Sequence, residues 1–244
     1  MFFDKRMFYI IMAVMVVFGL VGYINNPMEL VNLLLTVPGV LIAITFHEFA
    51  HAYAADKLGD DTPRMEGRLS LNPLSHLDPI GSIMLLFAGF GWGKPVHVNP
   101  RNYKRTMSMD KADAIVAIAG PVMNFILAII FTLIYCAIYK FVGIGVITSS
   151  SIGSILMTML LYTISINVGL GVFNLIPLPP LDGSKVIKPF LSFNAKNWFE
   201  NNEQTFELIF VILWIFNILS KIVSPLISFA LSGILKFGYI IFGL

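Results

Sequence analysis

The chain carries a single cysteine, Cys136, so no internal disulfide can form. A thiolate metal site is excluded with it, and any bound metal would have to be held by His, Asp, Glu and water. Charge is also scarce. Asp, Glu, Lys and Arg make up 12% of the residues, against roughly 25% in soluble domains. The formal net charge is only +2, and no basic run is longer than the pairs Lys5-Arg6 and Lys104-Arg105. The electrostatic footprint of a nucleic-acid binder is therefore missing, and no nucleic-acid partner is expected. No polar stretch is long enough to form a large soluble domain.

Apolar residues fill the space instead. They make up 57% of the chain, and the mean hydropathy is +0.82. These values describe an all-α integral membrane protein. Six apolar segments stand out, at about Met7–Ile24, Leu30–Ala55, Ala114–Tyr139, Ile152–Ile176, Thr205–Ser220 and Ile222–Leu244. They predict about six transmembrane helices in a single polytopic domain over 1–244. A seventh stretch, Ile80–Trp92, is too short and Gly-rich to span; together with the residues up to Val98 it predicts a short re-entrant or β-like element near 80–98. The first segment follows Lys5-Arg6 as in a signal peptide, but its end offers no clean pair of small residues for cleavage, so it is expected to be retained.

Lys and Arg cluster in the loops that share a side with the N-terminus, 57–111 and 185–196, while only Lys140 and Lys221 fall clearly on the other side. The positive-inside rule then predicts a multi-pass protein of a bacterial or archaeal cell membrane with a cytoplasmic N-terminus.

Within the second segment lies Thr45-Phe46-His47-Glu48-Phe49-Ala50-His51-Ala52. Ionisable groups in hydrocarbon are costly, so their presence there is by default a functional signal. Positions four apart share a helix face, so His47 and His51 can grip one ion together. Glu48 sits about a quarter turn away, free to handle protons. This HExxH spacing is the one zinc peptidases use, with two imidazole ligands and a carboxylate base. His47 lies ten residues before Lys57 at the cytoplasmic end of its segment, about 15 Å at ~1.5 Å rise per residue, so the motif is expected below the membrane surface within reach of water.

A catalytic zinc usually takes three protein ligands. The candidates for the third are His76, His97 and a few carboxylates. Asp182 is the strongest. It follows the prolines Pro177, Pro179 and Pro180, which preclude a regular helix, and a broken helix at membrane depth is tolerated where it lines a cavity. Equally, Asp182 could simply cap the following helix. His76 sits in a turn-rich stretch and reads as a histidine bonded to backbone; His97 reads as a solvated loop residue.

Taken together, His47-Glu48-His51, Asn174 to Gly183 (Asn-x-x-Pro…Leu-Asp-Gly), Ala119-Gly120-Pro121-Val122-Met123-Asn124, the loop Asn72–Gly81 and the stretch Gly91–Val96 resemble the site-2 protease family of intramembrane zinc metalloproteases. The resemblance covers about 30–183 and leaves helices 7–24 and 205–244 peripheral. It implies one Zn2+ per chain, held by His47, His51 and Asp182, with Glu48 as general base. It also implies substrates that are single-span membrane proteins or signal-peptide remnants, and a compact member without a PDZ or appended regulatory domain. A regulatory membrane partner is compatible with it but unidentified. The chain departs from the expected pattern at His97, where a proline would stand.

Asn124, Asn167 and Asn174 are amides inside apolar helices. They either join helices or supply second-shell and oxyanion contacts. Gly91 and Gly93 break any helix, and Pro95, Val96, His97 and Val98 favour extended backbone. That segment is either a passive loop or a clamp whose edge pairs with unwound substrate. The leading expectation is an intramembrane zinc endopeptidase that cleaves near the cytoplasmic side. The alternatives are a membrane zinc enzyme acting on a small or lipid substrate, and a metal-binding protein without activity.

Overall fold

A computed structural model of the chain describes residues 5–88, 93–216 and 218–244. Eleven α-helices are described: α1 (Lys5–Asn25), α2 (Pro27–Leu58), α3 (Thr62–Met65), α4 (Pro79–Ala88), α5 (Met109–Val142), α6 (Ile144–Ser149), α7 (Ser151–Asn174), α8 (Gly183–Ile187), α9 (Phe193–Asn201), α10 (Glu203–Ile215) and α11 (Ile218–Phe242). There is no strand among the described residues, only an isolated antiparallel bridge between Leu77 and Gly93. The β-like element expected near 80–98 is thus, where described, a ten-residue helix and, from Gly93 to Val98, a segment without regular secondary structure. From Gly93 onward the segment meets the 72–78 loop through that bridge, where the Lys94 N–H donates to His76 O at 2.8 Å.

Among the described residues, four helices are long and apolar enough to cross a membrane: α2, α5, α7 and α11. Six were expected. The fifth expected segment is α10, whose 13 residues reach about 20 Å, short of the ~30 Å hydrocarbon core. Of the first segment, the apolar helix described with its side chains covers Ala13–Asn25.

The centre of the bundle is the mutual packing of α2, α5 and α7, with α11 against α5 and α7 and α1 against α4 and α2. On α2 the buried face reads Gly39, Ala43, His47, His51, Ala55, one residue every four. Small residues let helix backbones approach closely without help from water, and the two imidazoles occupy the middle of that ridge. α5 answers with Ala117, Gly120, Pro121, Asn124 and Ala128, all buried.

α2 stops at Gly59, whose φ of 106° is left-handed and whose N–H returns to Ala55 O and Asp56 O. The Lys104 N–H then donates to Leu58 O at 2.7 Å, tying the end of α2 to the chain that enters α5. At the same end α7 terminates, and 175–182 fold back beneath it. Leu181 is buried there against Phe210 of α10 and Leu219 and Val223 of α11. Three chain reversals thus meet at one end of the bundle.

Candidate active site

Each imidazole on α2 is fixed from behind. The His47 Nδ1 lies 2.7 Å from Asn124 Oδ1, and the His51 Nδ1 lies 2.7 Å from Val116 O. The Asn124 amide nitrogen donates to Ala43 O at 3.1 Å and to Asn167 Oδ1 at 3.0 Å, so its oxygen must be the atom facing His47. Both partners of the rings are therefore pure acceptors, and both Nδ1 atoms carry the proton. The two Nε2 lone pairs are left pointing forward, 3.0 Å from each other.

Asp182 completes the group. Its Oδ2 lies 3.1 Å from His47 Nε2 and 3.2 Å from His51 Nε2. Asp182 does stand at the N-cap position of α8, but its side chain makes no capping bond, so the capping alternative is not the one the structure adopts. Gly183 makes the placement feasible: a Cβ there would fall 2.4 Å from the carbonyl oxygens of Leu175 and Ile176. Three electron-rich atoms thus converge with no hydrogen between them. That is repulsive unless a cation joins them. The edges of 3.0–3.2 Å suit an ion bound at about 2.0–2.1 Å. His47, His51 and Asp182 can hold one metal ion.

Glu48 points to the neighbouring face and accepts the Val96 N–H on Oε2 at 3.0 Å. It borders a cavity of about 380 Å³ that also touches His47, His51, Asp182, Asn174 and Lys185. Gly93, Pro95, Val96 and Val98 form part of its wall. Of the expected clamp residues, Gly91 lies outside the described residues. His97 does not line the cavity: its ring is exposed and lies 3.2 Å from the Glu66 carboxylate.

The three asparagines separate. Asn124 and Asn167 are fully buried, do not line the cavity, and have their amides committed to His47, Ala43 O, each other and Thr163 O. They orient the His47 ring rather than face a reacting group. Asn174 is half-buried, lines the cavity, and spends one N–H on Leu170 O at 3.0 Å. His76 is buried and bonded through Nε2 to Ser70 O at 2.7 Å, apart from the His47–His51–Asp182 group, as its turn-rich surroundings indicate.

Gly120 carries a role that the sequence signalled only as part of a motif. A Cβ at this position would sit 2.5 Å from His51 Nε2 and 2.7 Å from His47 Nε2. Asp60, at the turn after α2, is fully buried. Burial works against its charge, but donors from Thr62, Asn99 and Asn102 outweigh it and hold the carboxyl below its ordinary pKa. The effect is to staple the 99–102 turn, which follows the cavity wall, to the end of the helix that bears His47 and His51.

Comparison with known proteins agrees with this chemistry. The model of peptidase family M50 matches residues 138–216. YwhC of Bacillus subtilis, named as a zinc metalloprotease, is 37% identical over 203 residues, which cover 83% of this chain and 90% of that protein. Rip2 of Mycolicibacterium smegmatis, similarly named, is 28% identical over 217 residues, 85% of this chain and 79% of its own. Rip2 of Mycobacterium tuberculosis is 30% identical over 165 residues, 64% of this chain and 57% of its own. No solved structure matches.

Proposed function

Since this chain belongs to peptidase family M50 and is a membrane zinc metalloprotease, we propose that it cuts the transmembrane segments of other membrane proteins close to the cytoplasmic face. The observation that carries the reading is the triangle of His47 Nε2, His51 Nε2 and Asp182 Oδ2 beside Glu48, in a cavity whose other walls are mostly apolar. The cytoplasmic side is supported by charge. The loops at the site's end of the bundle carry Lys57, Arg64, Arg68, Lys94, Arg101, Lys104, Arg105, Lys111, Lys185, Lys188 and Lys196. Substrates of this kind are single-span proteins or signal-peptide remnants.

His47, His51 and Asp182 hold the zinc. What zinc supplies when bound there is Lewis acidity toward a water and a carbonyl oxygen. Glu48 takes the proton of the attacking water and returns it to the leaving amine nitrogen. The Val96 N–H fixes the orientation of that carboxylate. Asn174 has a second amide N–H to offer the oxyanion of the tetrahedral intermediate. A helical substrate must first release its own backbone bonds, because its carbonyls are tied up in hydrocarbon. The segment containing Gly93, Pro95, Val96 and Val98 presents backbone groups with which an unwound substrate can pair.

The test is zinc analysis with a cleavage assay on a single-span peptide for wild type, Glu48→Gln and Asp182→Ala. Glu48→Gln keeps stoichiometric zinc and loses roughly 10²–10⁴-fold in rate. Asp182→Ala loses zinc as well as activity. A Glu48→Gln protein that still cleaves would overturn the assignment of the base. Peptides left intact by a zinc-loaded wild type that hydrolyses a lipid or small amide would favour a non-protein substrate.

A further inference from the structure

Apart from the two imidazoles, Lys185 is the only basic side chain that borders the cavity among the described residues. It lies one helical turn after Asp182, and its own N–H donates to Asp182 O at 2.9 Å. Neighbouring lysines are neutralised: Lys188 pairs with Glu200 at 3.5 Å and Lys196 with Asp110 at 2.7 Å. No carboxylate among the described residues lies within ion-pairing distance of Lys185. The base from which it projects is rigid. The Ser184 hydroxyl donates to Leu181 O at 2.7 Å, Gly183 abuts the end of α7, and Leu181 is locked among Phe210, Leu219 and Val223.

The charges in the cavity do not balance without a ligand. Glu48 and Asp182 together match a divalent cation, which leaves Lys185, exposed to solvent at the border of the cavity, as a cation without a protein counter-charge where substrate would enter. We propose that Lys185 is a specificity-determining residue that pairs with an aspartate or glutamate side chain of the substrate, within a few residues of the scissile bond. The inference rests on the peptidase reading, and it adds which substrates that site prefers. Lys185 touches substrate and takes no part in the proton transfers.

The experiment uses zinc-loaded protein and a family of single-span peptides that differ at one position at a time, over three residues on each side of the scissile bond, among Asp, Asn and Lys. At one of these positions the wild type cleaves the Asp peptide about five- to tenfold more efficiently in kcat/KM than the Asn peptide. Lys185→Gln removes that preference, and Lys185→Glu reverses it in favour of the Lys peptide, with zinc content unchanged in both. To separate recognition from turnover, the same ranking is read as binding. Fluorescence anisotropy of labelled peptides on Glu48→Gln protein, with and without the Lys185 substitutions, gives the same order and the same reversal. An unchanged Asp-to-Asn ratio in Lys185→Gln, or a loss that is equal for all three peptides, overturns the inference and leaves the protease reading standing. A zinc-loaded wild type that cleaves none of the peptides overturns both.

Discussion

Gly120 and His51 are held so close that a single methyl group cannot come between them: a Cβ on Gly120 would lie 2.5 Å from His51 Nε2. The ring cannot step aside, because its Nδ1 is bound to Val116 O and turning would break that bond inside the bundle.

Gly120→Ala therefore separates helix stability from metal binding. Alanine is favoured over glycine within a helix by roughly 1 kcal/mol, so α5 itself is not weakened. The metal-ligating group is. The expected result is folded protein of unchanged helical content with zinc affinity reduced at least tenfold and cleavage lost. Circular dichroism together with chelator competition checks it. Normal zinc retention would mean that the helices spread without consequence.

Asn124 acts on the same group from behind. Replacing it with Leu keeps approximate bulk but leaves the His47 Nδ1–H without an acceptor and removes the amide that holds Asn167. Loss of such an outer partner typically costs 10–100-fold in metal affinity. The predicted change is a drop of that size in competition with a zinc chelator, larger than the drop for Asn167→Leu, which contacts His47 only through Asn124.

This division of roles shows how far the amino-acid sequence could be read. His47, Glu48 and His51 were legible because their relation is local: a helix puts residues four apart on one face whatever surrounds them. Asp182 is 135 residues from His47, and its local setting fitted a helix cap as well as a ligand. Only the path of 175–182 beneath α7 decides between them. Asn124 and Gly120 stood in a recognisable block, but a buried hydrogen bond and a steric limit belong to pairs of residues, and hydropathy sees one residue at a time. The same blindness affects the count of spans. The fifth and sixth apolar segments follow each other with little polar sequence between them, yet α10 ends at Ile215 and α11 begins at Ile218.

The 93–98 segment offers two separable roles, and proline tells them apart. Val96→Pro deletes the N–H that Glu48 accepts, at a position outside any helix. Hydrogen bonds to charged groups are worth about 1.5–3 kcal/mol, so kcat is expected to fall roughly 10–100-fold with zinc content unchanged. Val98→Pro leaves the Glu48 contact intact. If substrate pairs along the segment, this variant raises KM with little change in kcat. If Val98→Pro is kinetically silent, the segment serves only to orient the carboxylate.

Asp60 makes the assembly sensitive to acid. Its folded pKa is lowered by bonds from Thr62, Asn99 and Asn102 that outweigh the cost of burial. A carboxyl held below its unfolded value, about 3.9, contributes stability that is fully present above that value and fades as the pH falls through the folded pKa. The staple between the end of α2 and the 99–102 turn should therefore hold near neutrality and open only below about pH 4. The protection factors against hydrogen exchange at the amides of Asn99 and Thr62, both donors to this carboxylate, should fall in that window before those of helices α2, α5 and α7 do. Asp60→Asn brings the opening to neutral pH. One end of its amide is a donor facing donors, and an unsatisfied buried group costs about 1–3 kcal/mol. With the turn released, the wall that carries Val96 is held less firmly against Glu48. Cleavage should then fall while zinc, bound by His47, His51 and Asp182, stays in place. Protection factors at Asn99, corrected for the intrinsic pH dependence of exchange, that stay constant from neutral pH through the acid range in which the carboxylates protonate would show that the carboxylate is not what holds the turn.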